Sequence, residues 1–277
     1  MEKKQKIRKI LCIAFAFLMS ITLFVTALLS VLHFTLLDRD YFAEKVEKSG
    51  YIDILHQKLV DELANEGYVS GFNEEFFARI ITTDSVKGPV LSAVDKIYGT
   101  GEYKSAPKEE LAQTLTDVFV KDLEDRGVAV DDEQKKHIEG FADECAEYFS
   151  TSARLPFISI GESLVRNVKP LAKYALIFTG AFTLFFAVFL FCINPKKANA
   201  IRYVSYAFGS AALMTAAPAT AMAVSGIIKK ISVADEALYY LIQTTATDLV
   251  NTVLVAAAIM AVVWIALAVP FFVKRKA

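Results

Sequence analysis

Asp122, Glu124, Gly127 and Glu133 stand at positions one, three, six and twelve of a twelve-residue calcium-loop register. Calcium takes oxygen ligands from alternate positions of such a loop, closed by a bidentate carboxylate. The register breaks at its fifth position, where Arg126 offers no oxygen and sets a positive charge beside the ion. Asp131 and Asp132 already have another role, as acidic residues opening a helix. The segment reads as a solvated turn between two helices, and no metal is assigned to it.

The three histidines give no site either. His33 falls near the end of an apolar run, His56 on a polar helix face and His137 beside Lys135 and Lys136. There is no H-E-x-x-H, no cysteine–histidine ligand spacing and no Ser/His/Asp pattern. Gly99-Thr100-Gly101 lacks the lysine and the strand–helix context of a phosphate loop. No catalytic residue, cofactor or metal ligand is expected, and the chain reads as non-enzymatic. Acidic runs at 122–125 and 131–133 read as solvated helix faces. Cys145 is alone between the first two apolar runs, so no disulfide staples that stretch and its core must hold it.

The elements that would carry any chemistry are dictated by four apolar runs, at 10–37, 171–193, 203–228 and 250–273. Each exceeds the roughly 20 residues that cross a hydrocarbon core of about 30 Å. Lys173 is the only charge inside them. With 55% hydrophobic residues, the 277-residue chain belongs to the membrane class. The predicted fold is all-α: a four-span transmembrane bundle with an extracytoplasmic helical domain between spans 1 and 2.

The net charge of −1 hides a division. From 38 to 169 there are 27 acidic and 16 basic residues. The basic clusters are Lys3, Lys4, Lys6, Arg8 and Lys9; then Lys196, Lys197 and Arg202; then Lys274, Arg275 and Lys276. Their alternation with the longer segments predicts cytoplasmic pieces at 1–9, 194–202 and 274–277. The domain at 38–156, an amphipathic connector at 157–170 and a loop at 229–249 then lie outside the cell membrane, against the minority vote of Lys229 and Lys230. The first run is 28 residues long, against roughly 7–15 for a cleaved signal, and reads as a retained signal anchor.

Between 38 and 150 the apolar residues recur at helical spacing. Tyr41, Phe42 and Val46 begin one stripe, which Ser49-Gly50 interrupts. Ile52, Leu55, Leu59 and Leu63 make the next. Helices follow at 74–82 and 86–98, the latter disturbed by Gly88-Pro89. A fourth has Ser105 as its cap, Pro107 in its first turn and Leu111, Leu115 and Phe119 on its apolar face. A fifth opens at Asp131 with Gln134 as capping-box partner and buries Ile138, Phe141, Cys145 and Phe149. Pro170 is expected to kink the junction into the second span. In the 229–249 loop, Ser232 with Asp235 predicts a capping box for a short helix.

Inside the spans the hydroxyls Thr179, Thr183, Ser210, Thr215 and Thr220 are expected to bond back to helix carbonyls. No ionisable group of a transport pathway occupies a central position. The third span is built for packing: Ser205 with Gly209, Ala212 with Ala216, and Ala217 with Ala221 and Ser225 are small residues four apart. That span is expected at the centre of the bundle. Phe178, Phe182, Phe185, Phe186 and Phe189 make the second bulky and in part lipid-facing.

The cytoplasmic pieces have no room for a kinase, a nucleotide-binding or a receiver module. The expected partners are membrane lipid and another protein, met through the outer domain or laterally in the membrane. Nucleic acid is excluded by the acidic balance. The first reading is a scaffold or partner-binding module. The order of one span, a large outer domain and three spans also resembles the mechanotransmission subunits of some ABC-type complexes, though those do not have an all-helical outer domain. That resemblance implies a transport-complex subunit coupled to a separate ATPase.

Overall fold

A computed structural model of the chain describes residues 2–273, with side-chain surroundings for 5–269. The basic tail at 274–277 lies outside the described residues. Helix makes up 85% of the structure, and no strand occurs among the described residues. Four helices are long and apolar enough to cross a membrane. The chain divides into two compact units, one formed by Met1–Tyr41, Asn167–Ser232 and Ile242–Ala277, the other by Phe42–Arg166 and Val233–Leu241.

The first unit contains α1 (Glu2–Phe34), most of α8 (Ile158–Ile193), α9 (Lys197–Ser225) and most of α10 (Glu236–Val273). The α9 window is the most buried of the four, 28% against 11% for α8 and α10. Small residues explain this, since Ala200, Ala207, Ala211 and Ala212 let neighbouring backbones close in. Met19, Cys12, Phe186 and Leu190 pack with Val204 and Ala207, while Met260 meets Ala211 and Ala212. Polar contacts supplement the packing. The hydroxyls of Thr22 and Thr183 lie 3.0 Å apart, and the Asn194 amide donates to Leu190 O (2.8 Å) and Cys12 Sγ (3.2 Å). Thr179, Thr183 and Thr215 bond back to carbonyls three or four residues earlier, as hydroxyls in apolar helices do. Of the phenylalanines expected to face lipid, Phe178, Phe182 and Phe185 are exposed on the single chain, whereas Phe186 turns inward and is buried beside Met19 and Leu190.

The second unit is a bundle of α2 (Arg39–Lys48), α3 (Tyr51–Gly67), α4 (Glu74–Ile80), α5 (Thr83–Tyr98), α6 (Lys108–Asp125) and α7 (Asp132–Ser152), completed by the first turns of α8 and α10. Its centre is aromatic. Phe119 sits 4.4 Å from Phe72, 5.4 Å from Phe76 and 5.3 Å from Phe141, measured between ring centroids. Gly50, at φ 78, makes the turn from α2 to α3. Asn73 and Thr82 cap α4 and α5 by accepting from Phe76 N and Ser85 N, and Asp131 forms the expected capping box with Gln134.

Three local expectations need correction. Ser105 does not cap α6. The helix begins at Lys108 with Pro107 as its N-cap, which leaves Ser105 too far back to reach the first free N–H groups. Nor does Ser232 open a helix: Asp235 accepts from Leu238 N at 3.0 Å and caps α10, which runs on unbroken to Val273. Gly88-Pro89 leaves α5 continuous, because Ser85, whose carbonyl loses its helix partner to the proline ring, is exposed to water. Helix α8 contains Pro170 and runs from Ile158 to Ile193, so the amphipathic segment and the apolar run belong to one helix.

Candidate functional site

Several features of the helical unit converge on one open cleft of about 750 Å³. Helix α3 places Tyr51 and Lys58 on one wall, and α5 places Lys96. The loop after α5 brings Tyr103. Gly99 turns the chain at φ 67, and Lys104 N and O are both bonded to Ser92 Oγ (3.1 and 3.0 Å), pinning the loop back onto its helix. The crossover between α7 and α8 supplies Arg154 and Phe157. It is held by buried Leu155 and by the Tyr51 hydroxyl, which donates to Arg154 O at 3.3 Å. The first turn of α8 adds Glu162, and the cap of α10 adds Asp235.

Asp235 and Lys58 form the closer of the two ion pairs in the cleft, at 2.8 Å. Burial works against the charge on Asp235. The Lys58 ammonium and the backbone N–H groups of Leu238 and Ala237 outweigh it and hold the carboxyl below its ordinary value. Lys58 moves the other way, raised by its hydrogen bond to Asp235 against some burial. The two directions agree, as they must for a real pair. Lys96 and Glu162 lie 3.8 Å apart, a looser pair. Gly161 lets α8 approach α5 here, since a methyl group on it would lie 3.2 Å from Ile97 Cγ1.

Two groups in the cleft have no such satisfaction. The Tyr103 hydroxyl is buried with no hydrogen-bond partner among the described residues, and burial raises its pKa, offset in part by Arg154. The Arg154 side chain is exposed and makes no ion pair among the described residues. Tyr51, more deeply buried and near the negative Asp235, is held well above the ordinary phenol range. Phe157 has φ 71, the one positive φ outside glycine among the described residues, and the residue is 63% exposed. Left-handed backbone at a large side chain costs about 1–2 kcal/mol and concentrates at sites of function.

The cleft carries three cations, Lys58, Lys96 and Arg154, against two carboxylates, Asp235 and Glu162. It is thus locally basic within a stretch that is strongly acidic overall. Such a surface can hold an apolar side chain and accept a carboxylate or carbonyl at its rim.

The residues singled out by sequence do not enter this cleft. Asp122 is bonded at 2.6 Å to Arg126, which also donates to Gly71 O at 3.1 Å, so the arginine at the fifth loop position ties the α6 end down. Among the described residues no three His, Cys, Asp or Glu side chains gather as a metal set. His56 donates through Nε2 to Ile81 O at 2.7 Å and serves packing. Cys145 is buried, its thiol pushed up to about 12 by burial and by Glu144 and Glu66. Ser205 and Ala212 are buried on α9, and Gly209 and Ala216 half-buried, while Ala217, Ala221 and Ser225 face outward from the single chain.

Sequence reasoning set Asp235 at a helix start and Phe157 at the head of the amphipathic connector, but it did not bring Asp235 to Lys58, and it passed over Tyr103 and Arg154. Pro156 before Phe157, closing a turn between two helices, was the one local signal available. No protein-family model, no curated protein and no solved structure matches this chain.

Proposed function

We propose that this chain is a non-enzymatic, membrane-anchored module that binds or scaffolds a partner protein through the cleft of its helical unit. Its four apolar helices cross the cell membrane, the termini and the 194–202 turn lie in the cytoplasm, and the helical unit lies outside. Three basic clusters alternating with the longer segments support that orientation. The observation that carries the binding role is the cleft, where the Tyr103 hydroxyl has no hydrogen-bond partner and the Arg154 guanidinium no ion pair among the described residues, beside an exposed, strained Phe157. The partner segment suited to it offers an apolar side chain to Phe157 and an acceptor to Arg154.

A photo-crosslinking residue at Ser159, inside the cleft, tests this in intact cells. A discrete protein adduct that disappears with Arg154→Glu is expected, and an adduct pattern indifferent to Arg154→Glu would remove the proposal. Orientation is tested separately. Protease added to right-side-out vesicles should cut the helical unit, and a reporter fused after Ala277 should stay inside.

A second reading, a transport-complex subunit driven by a separate ATPase, is supported by one feature. One apolar run, then the large helical unit, then three further apolar runs is the order of such mechanotransmission subunits. Purification in mild detergent distinguishes the two: an ATPase that co-purifies supports coupling, and a preparation free of one supports the scaffold.

A further inference from the structure

Helices α9 and α10 leave an apolar groove of about 560 Å³ between them, and we propose that it holds one acyl chain of an anionic phospholipid, with the headgroup at Arg202. The groove runs from Tyr206 past Gly209 to Ala216 on α9, and from Trp264 past Ala258 to Leu254 on α10. Small residues form the floor and larger ones the rims, so it is a channel rather than a flat packing face. Trp264 lies against Gly209, where a methyl group would come within 2.9 Å of the indole nitrogen.

The depth of the groove identifies its occupant. From residue 206 to 216, and from 254 to 264, each helix rises about 15 Å. That is half of a hydrocarbon core of about 30 Å, hence one leaflet. A packed helix from a partner would call for a groove through both leaflets, whereas an acyl chain needs one. The ends of the groove also differ in chemistry. Leu254 and Ala216 close it with hydrocarbon. At the other end Tyr206 and Trp264 are the amphipathic rings that favour the membrane–water boundary.

Beyond that end stands Arg202. Its Nε donates to the Tyr206 hydroxyl at 2.6 Å, and its guanidinium carbon lies 5.5 Å from the ring centroid. The rest of the guanidinium has no carboxylate partner among the described residues. Between Glu162 and Asp235 the chain contains no acidic residue at all. Lys196 and Lys197 precede Arg202 at the α9 N-terminus, which has no side-chain cap. Arginine suits a phosphodiester because its planar fork matches the phosphate oxygens. In the orientation given above this is the cytoplasmic leaflet, where anionic lipid is concentrated, but the groove itself requires only that the helices sit in a bilayer.

Trp264 is the single tryptophan of the chain and therefore reports on the groove directly. The full chain is placed in nanodiscs carrying either phosphatidylglycerol or phosphatidylcholine with brominated acyl chains, and tryptophan quenching is followed as brominated lipid is increased. Phosphatidylglycerol is expected to reach half-quenching at a mole fraction about fivefold lower than phosphatidylcholine, and Arg202→Gln to erase that preference. Ala258→Leu should fill the groove and weaken quenching by both lipids. Ser210→Phe serves the same purpose if the first variant is not helical and monodisperse. Equal quenching by the two lipids, or a preference that survives Arg202→Gln, overturns the proposal. So does a groove-filling variant that leaves quenching unchanged but converts a dimer to a monomer, because the occupant is then a second copy.

Discussion

Lys58 and Asp235 are 177 positions apart in sequence and meet at 2.8 Å. Asp235 is at once the N-cap of α10, accepting from Leu238 N, and the partner of α3. One carboxylate thus starts the last membrane-length helix and fastens its first turn to the helical unit. The two roles separate by substitution. Asp235→Asn keeps an oxygen for the cap and loses the pair, at a cost of less than about 1 kcal/mol because both side chains are partly solvated. Asp235→Ala also loses the cap and costs about 1 kcal/mol more. Chemical unfolding of the purified chain, followed by helicity, checks the order.

The same pair fixes a pH window. Asp235 is held below its ordinary value of 3.8, so its contribution is present above that value and is lost as pH falls through the lowered pKa. Lys58 is raised above 10.5, so its contribution is present below 10.5 and is lost as pH rises through the raised pKa. The stability difference between the wild-type chain and Asp235→Asn should be constant between these limits and vanish in acid. Unfolding midpoints measured across pH test it.

Phe119 touches Phe72, Phe76 and Phe141 and is completely buried. Phe119→Ala is expected to cost about 3–5 kcal/mol, and Phe119→Leu clearly less, because the cavity shrinks. Protease resistance of the helical unit should fall in that order.

Gly67 ends α3 with an ordinary φ of −78, but a methyl group on it would lie 2.9 Å from Phe77 Cε2 and 3.2 Å from the Phe72 carbonyl. Space, rather than backbone freedom, requires glycine there. Gly67→Ala should destabilise by about 1–3 kcal/mol, visible as a lower thermal midpoint.

Phe157 makes the most direct link to function. Phe157→Gly removes the left-handed penalty and should stabilise the unit by about 1 kcal/mol, while lowering recovery of the Ser159 crosslink. A variant that gains stability and keeps full crosslinking would place Phe157 outside the binding surface.

Cys145 should resist alkylation. With its pKa pushed from 9.0 to about 12, it holds about a thousandfold less thiolate at neutral pH than an unperturbed thiol. Mass spectrometry against an exposed reference, Val69→Cys (Val69 is 94% exposed), gives the comparison.

The repeating signals were the legible ones. Apolar length announced the four membrane-length helices, and the spacing of Ile52, Leu55, Leu59 and Leu63 placed α3 and its buried side. Asp131 with Gln134 gave α7 its start. Signals read from a single residue fared worse. Pro89 is a helix breaker in isolation, yet it lies inside a continuous helix where solvent at Ser85 takes up the lost bond. Ser105 and Ser232 look like caps, but Pro107 and Asp235 hold those places. The cleft was hidden for a different reason. Its walls come from α3, α5, the α7–α8 crossover and the α10 cap, and no local rule brings Tyr51, Arg154 and Asp235 together.

The 3.0 Å approach of the Thr22 and Thr183 hydroxyls sets the register of α1 against α8 within the apolar unit. A slip of one turn, about 5.4 Å, would part them and leave each hydroxyl with only its own helix carbonyl, Met19 O or Thr179 O. The pair is a dowel: it contributes little strength and determines the depth at which the two rods stop sliding.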